Sequence, residues 1–143
     1  MDLRKWLNLS KAILINLKNN IISSWIHIPY TFKHYIAFLK LEKKLIGHYK
    51  YKFHDLDKLL MYLFIPFLGT DRIKKIHSRN NSHHIKRYKT PGQCNYEEAI
   101  IDWECARFTK PEKPATARTV TERKFLGQTH YENLIKILNK FNL

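Results

Sequence analysis

Eight histidines are spread along the 143-residue chain, and four of them, His54, His77, His83 and His84, fall within 31 residues that also hold Asp55 and Arg79. Imidazole is a preferred ligand of Mn, Fe, Co, Ni and Zn, and a carboxylate among imidazoles favours a hydrolytic or oxidative site over a closed structural one. Further along, Glu98, Asp102 and Cys105 recur at helical spacing. An ionised Asp102 on a face containing Ala106 needs a metal, an arginine or a histidine as partner. His34 shares a helix face with Phe38, Leu41 and Leu45, so it points inward, either as a metal ligand or as a core histidine bonded to a backbone carbonyl. Lys58 and Arg79 are cations suited to phosphoryl oxygens, lysine as a point charge and arginine as a bidentate fork. Each has an ordinary alternative: Lys58 an ion pair with Asp55, Arg79 and Asn80 a surface turn, Arg107 a bridge to Glu104.

These side chains must come from several helices. Met1 to about Asn20 reads as a basic amphipathic helix that docks on the core or lies on a membrane, core docking being the expected outcome. Pro29 and Thr31 mark the start of a second helix and Gly47 its stop. A third is expected from about Tyr51 to Phe64, ended by Pro66, with His54 and Lys58 one turn apart and Asp55 beside them. Asp71 is suited to cap a helix from Arg72 to about Tyr88, on which His77 and His84 stand two turns apart. Asn95 is suited to cap another, Tyr96 to Phe108, with Glu97 and Glu98 in its first turn. Lys110 to Thr121, containing Pro111 and Pro114, reads as a loop, Thr119 to Glu122 as a capping box, and Tyr131 to Phe141 as a last helix. No segment alternates as a strand does, so the expectation is a single all-α domain of about five to seven helices spanning 1–143.

Composition narrows the partners. Lysine and arginine outnumber acids 26 to 12, a formal charge of +14, which attracts phosphate-bearing molecules without separating nucleotide, nucleic acid and anionic membrane. Cys94 and Cys105 form no C-x-x-C pair, which points to a reducing cytoplasm. The longest apolar run, Leu59 to Leu68, contains Pro66 and falls short of the ~20 residues that span a bilayer, so stable membrane insertion is not expected.

In order, a lone His34, the stretch Phe53-His54-Asp55-Leu56-Asp57-Lys58, then His77, His83 and His84, then Asp102 in Ile100-Ile101-Asp102-Trp103 resemble the HD-domain phosphohydrolase superfamily. More narrowly, the stretches His77 to His84 and Glu98 to Trp103 resemble a little-characterised HD-like family of bacteria and phages. The matching motifs cover about residues 27–110, and the chain departs from the pattern at Asp57, where the family carries a small hydroxyl residue, and at Ser82, where it carries a proline.

The resemblance implies a helical fold and His34, His54, Asp55 and Asp102 as ligands of one divalent ion (Mn, Fe, Co, Ni or Zn, with Mg a further option). A second ion would fall to His77 and His84, with His83 as substitute. It also implies a metal-dependent phosphohydrolase of the cytoplasm, a bacterial host's if phage-encoded, that acts on a nucleotide or nucleotide second messenger. Lys58, His77, His83 and Asp57 are the expected catalytic groups, and Lys58, Arg79, Asn80, Glu98 and Arg107 the expected substrate contacts. The competing readings are a non-enzymatic basic module that binds nucleic acid or a partner protein, and a peripheral membrane protein using the first helix.

Overall fold

Pro29 does not begin a helix; it lies inside one. In the computed structural model, which describes residues 3–110, 112 and 114–143, helix α1 runs unbroken through Leu3–Ile46. The two helices expected here are one, because Pro29 and Trp25, whose carbonyl loses its partner to the proline, both lie on the exposed side, where water can satisfy that carbonyl. Gly47 then stops the helix in the left-handed conformation (φ 87°), its N–H donating to Lys43 O at 2.9 Å. The expectation that the first helix docks on the core is overturned: Leu3, Trp6, Leu7, Leu9, Ile13 and Leu14 are all exposed. Met1 and Asp2, placed at its start by the sequence, lie outside the described residues.

Five further α-helices follow: α2 (Leu56–Phe64), α3 (Gly69–Asn80), α4 (Tyr96–Thr109), α5 (Ala117–Phe125) and α6 (Tyr131–Lys140). Short 3-10 turns at Pro66–Leu68, Ile85–Arg87 and Pro91–Gln93 complete the all-α architecture, and no strand occurs among the described residues. Four boundaries differ from expectation. α2 begins at Leu56, not Tyr51, so His54 and Asp55 precede the helix. α3 begins at Gly69, not Arg72, so Asp71 lies in its first turn and does not cap it. α3 ends at Asn80, not Tyr88, because the Asn81 side chain turns back to donate to His77 O at 2.8 Å and competes with the helical pattern. α5 is capped by Thr116, whose hydroxyl accepts from Thr119 N at 3.1 Å, and not by a box starting at Thr119. The segment around Pro114 is irregular as expected, while Pro111 lies outside the described residues.

The core gathers around α4. Ala99, Ile100, Ile101 and Cys105 are fully buried against Phe38 of α1, Ala117 and Phe125 of α5, and Leu134 and Leu138 of α6. Each large apolar side chain in this set contributes about 1.5–3 kcal/mol by leaving water. Polar staples fix the segments between helices. Glu42, buried on α1, accepts the backbone N–H groups of Lys50 and Tyr51 and folds the chain after Gly47 back onto its own helix. Ser24 donates to Pro66 O at 2.8 Å and Asn20 to Phe67 O at 3.1 Å, which seats the turn between α2 and α3 on α1. Gly69 opens α3 at φ 75°, and a Cβ there would meet the Asn20 side chain at 2.6 Å.

Glu97, in the first turn of α4, accepts from Lys50 at 2.8 Å, the Tyr51 hydroxyl at 3.0 Å and Lys140 of α6 at 2.6 Å. Burial opposes its ionisation, but these three contacts hold the carboxyl down at about 2. A depressed carboxyl stabilises the fold above its unfolded value, near 4.3, and that stabilisation is lost as pH falls from there toward 2. Glu97→Gln is therefore expected to cost about 1 kcal/mol at pH 7, both lysines being well exposed, and almost nothing near pH 2. Thermal melts of both proteins across that range measure the difference.

Candidate metal centre

The site is assembled from α1, the irregular turn before α2, the end of α3 with the reversal after it, and α4. α1 delivers His34 to the interior, 3% exposed, where Nδ1 meets the Thr109 hydroxyl at 3.0 Å and Nε2 meets Asp102 Oδ1 at 2.8 Å. Thr109 itself donates to Cys105 O at 3.3 Å, which leaves its oxygen able to accept from Nδ1, while Nε2 faces Asp102. The Glu42 staple brings the next segment in, and the His54 ring stacks flat on Phe38, 3.8 Å between centroids. Asp55 follows in the left-handed conformation (φ 56°), which a non-glycine residue adopts at a cost of order 1 kcal/mol. That twist ends the turn and starts α2, and it places consecutive side chains, His54 and Asp55, in the same buried region, 2% and 5% exposed.

The remaining histidines arrive by a route the sequence reading did not foresee. His77 lies in the last turn of α3, but His83 and His84 lie beyond it, in the chain reversal before the 3-10 turn at Ile85. The reversal, with Asn95 N donating to Ser82 O at 3.1 Å, still brings His84 edge-on to His77, 4.9 Å between centroids, and His83 to 4.8 Å from His54.

The four residues expected to share one ion, His34, His54, Asp55 and Asp102, meet here. Ligand atoms of His34, His54 and Asp55 lie within 4.8 Å of one another, as do those of His54, His83 and Asp102 and those of His77, His83 and His84. Ligands of one ion at bonds of ~2.1 Å stand no more than ~4.2 Å apart, so each triad is close to coordinating span. Asp102 Oδ1 is 3.5 Å from His54 Nε2, and Asp55 Oδ1 is 2.9 Å from His77 Nε2 and 3.8 Å from His54 Nε2.

What fits a cation is the state of the ring nitrogens. His54 Nε2, His77 Nε2, both nitrogens of His83 and His84 Nε2 are buried without a properly directed hydrogen bond. An unsatisfied buried polar atom ordinarily costs about 1–3 kcal/mol, and here several converge on the same carboxylates. Buried His and Asp groups in this arrangement are able to hold a metal ion. The opposite ring atoms are fixed: Glu98 accepts from His54 Nδ1 at 3.0 Å and lies 3.2 Å from His83 Nδ1, while Asp57 accepts from His77 Nδ1 at 2.8 Å and from Asn81 at 3.0 Å. A carboxylate behind a histidine fixes its tautomer and raises the basicity of the nitrogen in front.

The electrostatics follow from burial set against these contacts. Burial alone would lower His54, but Asp102 and Glu98 at its two nitrogens, with the charge of Asp55, raise it to about 10. His77 is likewise raised against burial by Asp55 and Asp57. Burial, with His83 and His77 beside it, pushes His84 down to about 4. Asp55 and Asp102 stay well below the usual carboxylate range despite burial, Asp55 through His77, His54 and Lys58, Asp102 through His34 and His54. The cluster therefore keeps its carboxylates ionised around imidazoles in a poorly solvated space.

Other expected site residues are placed differently. Glu98 and Asp57, expected as substrate and catalytic groups, are turned toward histidines. Lys58 pairs with Asp55 at 2.6 Å, yet also lines a cavity of about 260 Å3 with His27, Tyr30 and Lys110. Arg107 bridges to Glu104 at 2.7 Å and lies over Phe108, and Arg79 and Asn80 are exposed, so none of the three joins the buried network. Asn81 and Thr109, which orient His77 and His34, were missed, though a threonine two turns after Asp102 and an asparagine one turn after His77 were both readable. Trp103 is half-buried, packs against the core and stacks on Phe125 at 5.6 Å.

No family model, curated protein or solved structure matches the chain.

Asp57→Ala removes the group behind His77 without touching any of His34, His54, Asp55 or Asp102. It is expected to weaken Mn binding roughly 10–100-fold, whereas Arg79→Ala leaves binding unchanged, as read by calorimetric titration of metal-stripped protein.

Proposed function

We propose that the protein is a metal-dependent phosphohydrolase that acts on a nucleotide or nucleotide second messenger. The observation that carries this reading is the pair of buried ring nitrogens His54 Nε2 and His77 Nε2, without a directed hydrogen bond and turned toward Asp55 and Asp102, each ring braced from behind by a carboxylate. The ordered motif resembling HD-domain enzymes supports it, since the same residues supply the cluster. His34, His54, Asp55 and Asp102 would hold a divalent transition ion, with His77, His83 and His84 able to hold another; so many imidazoles favour Mn, Fe, Co, Ni or Zn over Mg. Such an ion supplies Lewis acidity and brings the pKa of a water toward neutrality.

The chain's own residues do the rest. Asp55 and Asp102 remain ionised and set the charge of the centre. Asp57, Glu98 and Thr109 keep the imidazoles from turning. Lys58, one salt bridge away from the centre and facing a cavity, is placed to leave Asp55 for a phosphoryl oxygen and stabilise the charge that develops there. His83 and His84 border a second cavity, of about 230 Å3, whose other walls include Trp103, Phe125, Lys86 and Arg87. An aromatic wall beside cations suits a base attached to phosphate, and the small volume favours a mononucleotide-sized ligand over a long strand.

The charge of +14 favours a second reading, a basic module that binds nucleic acid without turnover. Its mark is an affinity that falls steeply with salt and ignores metal.

Nucleotides, cyclic dinucleotides and model phosphodiesters are to be incubated with the protein and each of Mn, Fe, Co, Ni, Zn and Mg, with phosphate or nucleoside release as readout. Turnover with at least one transition metal is expected. Asp102→Asn, which keeps shape and removes charge, should remain folded by circular dichroism and lose at least about 100-fold in kcat. A chain that retains no metal after supply with Mn and Fe, and turns over nothing in the panel, would overturn the enzyme reading.

A further inference from the structure

α1 carries a second face that the buried site does not use. Leu3, Leu7, Leu14, Ile21, Trp25, Phe32 and Ile36 succeed one another at steps of four and seven residues, so they form one seam along the helix. Leu3 is 71% exposed, Leu14 65%, Trp25 59% and Phe32 54%. The residues that α1 buries, Ser24, Thr31, His34 and Phe38, follow a different line, Ser24 standing ~100° around the helix from Trp25. The seam therefore continues past the point where the domain begins and remains uncovered there.

Charge identifies what covers it. From Leu3 to Leu41 there is no aspartate or glutamate, while Arg4, Lys5, Lys11, Lys18, Lys33 and Lys40 all fall in that span. At helical spacing Arg4, Lys11, Lys18, Lys33 and Lys40 line one flank of the seam. Trp6 and Trp25, each more than half exposed, are rings of the kind that settle at the boundary between lipid headgroups and acyl chains. We propose that this face of α1 lies on an anionic lipid surface, parallel to it, with the seam at the acyl boundary and the lysines among acidic headgroups. No helix among the described residues is long and apolar enough to cross a membrane, so the contact is in the plane of the surface.

A second copy of the chain fits the face less well. Lys11 and Lys18 flank the seam, and a partner copy offers no exposed acid from the same helix to meet them, Glu42 being buried against Lys50 and Tyr51. Ile15 and Ile26 are exposed ~100° from Leu14 and Trp25, on the lysine flank of the seam; a paired helix leaves them in water, whereas a helix sunk into an interface covers them.

The test uses the full chain and sedimentation with vesicles of phosphatidylcholine alone or with about a third phosphatidylserine. At least about tenfold greater partition onto the anionic vesicles is expected, weakening as salt is raised, with a blue shift of tryptophan emission on binding. Leu14→Glu combined with Phe32→Glu should abolish binding, and Lys11→Glu combined with Lys18→Glu should remove the preference for anionic lipid. Both pairs alter exposed positions, and unchanged far-ultraviolet circular dichroism verifies their folding. Equal or absent partition onto the two vesicle types overturns the proposal. So does a concentration-dependent dimer, dissolved by the Leu14 and Phe32 substitutions, in a protein that ignores vesicles. Because vesicle binding needs neither metal nor turnover, its failure and that of the hydrolase reading are separately visible.

Discussion

Ionised carboxylates inside a protein are tolerated only when cationic or hydrogen-bonding partners replace the water they lose. Asp55 and Asp102 impose that condition on this fold. Asp55, 5% exposed, is met by His77, His54 and Lys58, and Asp102 by His34 and His54, so the two acids draw imidazoles from α1, α3 and the turn before α2, and a lysine from α2, into one volume. The long α1, the Glu42 staple that folds the chain back after Gly47, the left-handed Asp55 and the reversal after Asn80 all deliver a partner to this pair. Removing one partner strands a buried charge, so a substitution in this pair costs stability as well as altering the site.

Imidazoles alone would satisfy the carboxylates by protonation, and His54, raised to about 10, does so when nothing else is bound. Yet protonation leaves the outcome uneven: His84 is driven to about 4 by burial and by its histidine neighbours, and several ring nitrogens keep no directed partner. A set of rings that cannot all be satisfied by protons, with Glu98 and Asp57 locking two of them from behind, is the arrangement a cation resolves. Those rear carboxylates separate this cluster from a chance crowd of histidines, since an unbraced ring would rotate toward solvent or a nearby carbonyl.

The parts legible in the sequence are those governed by periodicity and turn chemistry. The apolar spacing around His34, Asn95 as a helix cap, Gly47 and Pro66 as stops, and the last helix with Leu134 and Leu138 all reflect local rules that the fold obeys. The errors arose where tertiary contacts overrule local preference. Pro29 reads as a helix start because nothing in its neighbours reveals that Trp25 and Pro29 share the solvent side. Asn81 reads as one more polar helix position because its bond to Asp57, 24 residues away, is invisible in the string. The reading of His77 and His84 as two helical turns apart was wrong in its route, and the two rings meet through a reversal instead. Glu98 and Asp57 read as groups facing substrate because sequence order places them near the histidines without saying which side of the ring they occupy.

The same helix carries His34 inward and the exposed seam outward, which ties the two proposals geometrically. Ser24, Thr31, His34 and Phe38 face the domain; Trp25 and Phe32 lie ~100° around the cylinder from Ser24 and Thr31 and ~160–180° from His34. With that seam against a lipid surface, His34 and the buried cluster it enters lie on the side of α1 turned away from the lipid. α1 is continuous through Pro29, so the angle between the lipid-facing line and the His34 line is set by one stretch of helical backbone and not by a flexible joint. The direction in which the centre faces, relative to the surface, is therefore fixed by the same hydrogen-bonded turns that hold His34 against Asp102.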